Sequence, residues 1–278
     1  MKPNIVIQLD LPVNKRWLIA AAFLVIAGCT TIQKSSTIRF NNNQVEFVTK
    51  GEGRLTVVFE TGLGVTMDTW EPILDRVASF TKVFAYNRPG YGKSKVDQKP
   101  ESAGALARNL RYTLRQTGHE PPYILIGHSA GGVYLNVFAR TYSNDVAGMV
   151  LIDSSHPDQF EYFRTEKPAL YAVLVASTSV GNRRYEMEVL NGLAQEVHQL
   201  GPFPEVHLTV LTAEKSSLFE TKEMRRKWLF YQQDLASLTT DSKHEIVPDS
   251  SHFIHKSQPG VVIQTIREIV DTVNIRGQ

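Results

Sequence analysis

From residue 55 onward the chain alternates short apolar runs with longer stretches in which apolar positions recur every three or four residues. The runs at 55–59, 83–86, 123–126, 146–152, 207–212 and 244–247 are short, rich in Val, Ile and Leu, and read as strands. Between them, Trp70, Ile73, Leu74 and Val77 fall at helical spacing within 68–80, and Leu106, Leu110 and Leu114 form an i, i+4, i+8 stripe. Helices are also expected over 133–142, 222–238 and 261–273, with a mostly helical stretch between the strands at 146–152 and 207–212. Because the strands are nearly continuous apolar runs, they predict a parallel sheet buried on both faces, with functional loops at the carboxyl ends of its strands. Before this region, 37–40 and 45–49 flank Asn41, Asn42 and Asn43, which predicts an antiparallel hairpin.

The extreme N-terminus breaks this pattern. Lys15 and Arg16 precede an apolar run at 17–27, which is shorter than the roughly 20 residues a membrane-spanning helix needs and suits a signal-peptide core. The single cysteine of the 278-residue chain, Cys29, follows directly. Ile26-Ala27-Gly28-Cys29 resembles the lipobox of bacterial lipoproteins, although the leading segment is long and carries Asp10. The resemblance implies a signal peptide over 1–28, lipidation of Cys29, a polar tether over 29–36 and attachment to a membrane through the lipidated N-terminus. For a Gram-negative source it implies an outer-membrane lipoprotein facing the periplasm.

Charge and composition narrow the picture. With 42% hydrophobic and 21% charged residues the chain is globular, and one cysteine excludes an internal disulfide. The formal charge of +2 comes entirely from residues 1–28, so nothing points to nucleic acid.

The chemistry concentrates at Gly127-His128-Ser129-Ala130-Gly131, which joins a predicted strand to a predicted helix. Gly-x-Ser-x-Gly in that setting is a nucleophile elbow: the serine sits on a sharp turn, and the helix N-terminus faces any oxyanion that develops. From here the chain resembles an α/β-hydrolase over roughly 37–275. Glu60-Thr61-Gly62-Leu63-Gly64 is similar to the family's oxyanion loop, with Thr61 where His commonly stands. Asn87-Arg88-Pro89-Gly90-Tyr91-Gly92 is similar to the loop after the fourth strand, and Ser250-Ser251-His252-Phe253 to the catalytic histidine loop. The resemblance implies an α/β-hydrolase fold with a mostly parallel sheet, helices on both faces and a small helical lid. It places the nucleophile at Ser129, the base at His252 and the oxyanion donors on the backbone N–H groups of Leu63 and Ala130.

A serine hydroxyl needs a base, and the base needs an orienting carboxylate. Two positions are open for that acid. The usual turn after the strand at 207–212 reads Ala213-Glu214-Lys215-Ser216 and offers Glu214 but no Asp. The strand at 146–152 ends in Asp153, a position that some haloalkane dehalogenases of the family use. Asp153 is the preferred acid and Glu214 the alternative. Dehalogenase and epoxide-hydrolase chemistry use an Asp nucleophile, which Ser129 argues against. His128 is expected beside the nucleophile, and His255 at the surface or next to the site. His119, His198, His207 and His244 are expected as surface or strand residues. Trp70 and Trp228 should face the sheet from helices, and Arg88 should hold the loop beneath the elbow.

The core is expected over 37–155 and 206–278. The insertion at 156–205 carries Phe160, Tyr162, Phe163, Leu170 and Tyr171 together with Arg164, Arg183 and Arg184. Those residues either pack the lid onto the body or form an apolar pocket with a basic rim for an anionic group. No cofactor and no metal is expected, and the expected substrate is a small-molecule carboxylic ester. The competing readings are an acyltransferase or other bond hydrolase on the same triad, and a catalytically idle binding module.

Overall fold

The computed structural model describes residues 34–40, 43–95, 102–178, 181–216 and 220–276. Cys29, the apolar run at 17–27 and residues 29–33 of the expected tether lie outside them. Ser36, assigned to the tether, opens the first strand, and Ser35 donates to Glu46 Oε1 at 2.5 Å.

The apolar runs assemble into one eight-stranded sheet in the order β1-β2-β4-β3-β5-β6-β7-β8. β1 (Ser36–Phe40) and β2 (Asn43–Lys50) form the expected hairpin, and β2 pairs antiparallel with β4 (Lys82–Tyr86). From β4 the pairing runs parallel through β3 (Thr56–Glu60), β5 (Tyr123–His128), β6 (Val146–Ile152), β7 (His207–Ala213) and β8 (Ser242–Val247). Every residue of β3 and β5 is buried, as strands covered on both faces require.

Alternate residues of the central strands feed two cores. Val58, Phe84, Leu125 and Leu151 face α2 (Ala103–Gln116) and α3 (Ala130–Thr141), where Leu106, Leu110 and Leu114 supply the predicted stripe. Val57, Phe59, Ile126 and Ile152 face α1 (Glu71–Ala78) and α9 (Pro259–Arg276) on the other side. The expected single helix over 68–80 is a short 3₁₀ turn, Met67–Trp70, running into α1 with Pro72 in its first turn. Pro is tolerated there because it gives up an N–H that has no partner in any case.

Between β6 and β7 the chain forms α4 (Gln159–Glu166), α5 (Pro168–Thr178) and α6 (Asn182–Gln199). α6 packs Met187, Leu190 and Leu193 into the α2–α3 core, while α5 leaves Val173 54% exposed. α7 (Lys222–Ala236) follows β7, and α8 (Ile254–Ser257) precedes α9.

His119 departs from expectation. It is buried, with Nε2 3.1 Å from Thr49 Oγ1 and Nδ1 3.3 Å from Thr56 Oγ1. Burial, helped by the charge of Lys82, pulls its pKa down to about 4. The folded protein therefore keeps a neutral ring where the unfolded chain, titrating near about 6.5, takes up a proton. The unfolded state binds more protons between these two values, so stability falls as pH drops through that window.

Two stability measurements follow. Ile126→Ala in the buried β5 should lower the urea unfolding free energy by about 2–5 kcal/mol, and Val173→Ala on the exposed α5 should change it by less than about 0.5 kcal/mol. The unfolding free energy should also decline from about pH 7 to about pH 5, and decline less in His119→Asn. An identical pH slope in the two proteins would contradict the burial argument.

Candidate active site

Ser129 links β5 to α3 with φ 53° and ψ −127°, a costly conformation for a residue with a side chain. Its neighbours impose it. A Cβ on Gly127 would lie 2.5 Å from Gly132 Cα, and one on Gly131 would lie 2.5 Å from the carbonyl oxygens of Glu60 and Thr61. The chain can pass this close only as glycine. Two bonds tie the turn to β6 and its exit: the Ser129 N–H donates to Ile152 O at 3.2 Å, and the Ser155 N–H to Ser129 O at 3.0 Å.

Asp153 leaves β6 with φ 41° and is buried. Its N–H donates to Leu211 O at 2.7 Å. The Oδ1 atom accepts from the Ala213 N–H and from the Trp228 indole N–H, both at 3.0 Å, and Oδ2 lies 2.7 Å from His252 Nδ1. Glu214 is exposed, and its Oε2 accepts from the Asp249 N–H at 2.9 Å. Of the two carboxylates, Asp153 is the one at the imidazole. Trp228 is the residue that sequence reading missed. It sits on α7 as expected, but only half-buried, and it turns toward the aspartate.

With Nδ1 engaged, His252 has Nε2 left for a second partner. His252, Asp153 and Ser129 line one cavity of about 270 Å³. His128 stands behind this loop, buried, with Nε2 3.0 Å from His252 O and its ring 4.7 Å from that of His252. Burial, with His252 and His255 close by, holds His128 well below the usual imidazole range, so it serves as a neutral spacer. His255, expected at the surface or next to the site, is fully buried. Its Nε2 lies 2.9 Å from Thr69 Oγ1, its ring is 4.4 Å from that of Trp70, and burial pulls its pKa down to about 3.

The loop 60–64 abuts the serine, since a Cβ on Gly62 would come within 3.1 Å of Ser129 Cβ. Ala130 opens α3, where the first amides have no intrahelical acceptor. Among the described residues nothing accepts from the N–H of Leu63 or of Ala130. Arg88 fixes the loop, as expected of it. Its guanidinium is buried and donates to Thr61 O and Gly62 O at 2.7 Å, to Thr61 Oγ1 at 2.8 Å, and to Glu60 and Glu186 at 2.5 Å. The Thr61 hydroxyl donates to Val65 O at 2.9 Å, so the threonine at the usual histidine position closes the turn internally. Glu186 reaches down from α6 and accepts from the Gly64 N–H at 3.0 Å and the Tyr91 hydroxyl at 2.9 Å. Burial pushes the Glu60 carboxyl up, against the pull of Arg88.

The lid arginines do not line the cavity. Arg164 pairs with Glu161, Arg184 pairs with Glu188, and Arg183 lies over Gly64. Among the described residues no group of three or more His, Cys, Asp or Glu could hold a metal ion.

The profile of the α/β hydrolase fold family matches residues 56–188, from β3 through the elbow into α6. The chain has the fold of the α/β-hydrolase superfamily. An uncharacterised Bacillus subtilis protein, YqjL, is 27% identical over 224 residues, covering 79% of this chain and 85% of its own. Among solved structures, a thermophilic esterase from Thermogutta terrifontis superposes with a TM-score of 0.60 at 20% identity, covering 86% of this chain and 99% of its own. The enol-lactonase of Burkholderia xenovorans LB400 superposes with a TM-score of 0.64 at 14% identity, covering 85% of this chain and 100% of its own. At these identities the likeness is one of fold.

The contrast between the two carboxylates gives a direct test. Asp153→Asn should lower kcat toward an activated ester roughly 10⁴-fold, and Glu214→Gln should lower it by less than about threefold. Arg88→Met, which strands two buried carboxylates, should cost about 3–5 kcal/mol in urea unfolding.

Proposed function

We propose that the protein is a serine hydrolase that cleaves carboxylic esters through an acyl-enzyme on Ser129. The observation that carries this reading is the 2.7 Å contact between His252 Nδ1 and buried Asp153, on the same cavity as a strained serine. In this mechanism His252 Nε2 takes the Ser129 proton as Oγ attacks the ester carbonyl. Asp153 holds the ring in the tautomer with Nδ1–H and stabilises the imidazolium. The amides of Leu63 and Ala130 receive the developing oxyanion, helped by the N-terminus of α3. The imidazolium then protonates the leaving alkoxide. Water, deprotonated by the same histidine, attacks the acyl-enzyme and frees the acid. Under the same proposal the chain is held at a membrane by lipid on Cys29, which mass spectrometry of the mature N-terminus checks.

The test is labelling of the full chain by a fluorophosphonate probe beside Ser129→Ala, with p-nitrophenyl esters of rising chain length as substrates. The expected result is labelling and turnover in the wild type, with both lost in the variant. A folded wild type that neither labels nor turns over ester would overturn the proposal in favour of a binding module.

A further inference from the structure

The sequence left open whether the lid arginines form a basic rim, and the structure pairs two of them with glutamates away from the cavity. Positive charge reaches the cavity from α7 instead. Met224, Lys227, Trp228 and Tyr231 fall at i, i+3, i+4 and i+7 on this helix and all line the cavity, with Arg225 at its edge. One face of α7 thus supplies both the indole that orients Asp153 and two cations.

Among the described residues no carboxylate lies within ion-pair distance of Arg225 or Lys227. Lys227 is half-buried, and its Nζ lies over aromatic rings, 4.5 Å from the Tyr231 centroid, 4.9 Å from Phe230 and 5.6 Å from Tyr162. Ring faces hold an ammonium in place but leave its charge uncompensated. Arg225 is oriented by donating one terminal nitrogen to Ala213 O at 2.5 Å and to Glu214 O at 3.2 Å, which leaves much of its fork for a planar acceptor. The other charged groups on the wall are Lys215, Asp153 and Glu220. Lys215 is paired with Asp249, and Asp153 is engaged by Ala213, Trp228 and His252.

We propose that the cavity selects esters bearing a carboxylate, with Lys227 as the specificity-determining cation and Arg225 as the second contact. This rests on the ester-hydrolase reading above. The carboxylate would complete the ion pairing that the aromatic cluster leaves open, while Met224, Phe163 and Trp228 cover the aliphatic part of the same substrate.

The test compares kcat/KM within two matched pairs. Mono-p-nitrophenyl adipate against p-nitrophenyl hexanoate places the carboxylate on the acyl side. The p-acetoxybenzoate anion against its methyl ester places it on the alcohol side. In the wild type at low salt, the charged member of at least one pair should be preferred by about tenfold or more, and the preference should shrink as ionic strength rises. Lys227→Met should cut that ratio by about tenfold, Lys227→Arg should keep it within about threefold, and Lys227→Glu should invert it. Ratios near one in both pairs, or a ratio indifferent to Lys227→Met and Lys227→Glu, would overturn the proposal while hydrolysis of the neutral esters left the hydrolase reading standing. Absence of turnover on every ester together with absence of fluorophosphonate labelling would mean that the underlying reading fails, and this one with it.

Discussion

The site depends on one buried carboxylate. Asp153 is removed from water at the end of β6, and a buried charge is tolerated only when its oxygens are satisfied. Three elements satisfy it: the end of β7 through the Ala213 amide, α7 through Trp228, and the loop after β8 through His252. That requirement fixes where His252 stands relative to the elbow. The strain at Ser129 and Asp153, both with positive φ, is carried by sheet pairing and glycine contacts on either side.

A second buried charge does for the loop at 60–64 what Asp153 does for the histidine. Arg88 gathers the carbonyls of Thr61 and Gly62, and among the described residues nothing accepts from the Leu63 amide. Two carboxylates, Glu60 from β3 and Glu186 from the lid helix α6, compensate the guanidinium. The lid is therefore bound to the body by charge as well as by Met187, Leu190 and Leu193. Burial of this cluster explains the cost expected of Arg88→Met. Removing the cation leaves two desolvated anions facing each other.

Much of this was legible in the residues. The strand runs and helical stripes gave the sheet, because burial on both faces writes itself as continuous apolar runs. The elbow was legible because glycine is the sterically possible residue beside the serine, and Asp153 because it ends a strand adjacent to the one that carries Ser129. What could not be read were contacts between segments far apart in sequence. Trp228 lies 75 residues beyond Asp153, and its helical spacing says which side of α7 it occupies but not what that side meets. Glu186 is 98 residues from Arg88 and reads as one more charge on a helix. The lid arginines stayed open for the same reason: charge in a segment does not say which way it points, and two of these find glutamates one helical turn away. His119 was placed too near the surface because an imidazole between hydroxyls is indistinguishable in sequence from a solvated one.

The central claim, that Ser129 is acylated with His252 and Asp153 acting as one unit, is tested most directly by intact-protein mass spectrometry of the full chain quenched within the first turnovers on p-nitrophenyl butyrate. The account predicts a single butyryl adduct that peptide mapping places on Ser129, with its formation slowed in Asp153→Asn and abolished in His252→Ala. Ester turnover with no adduct, or with an adduct on another residue, would contradict it.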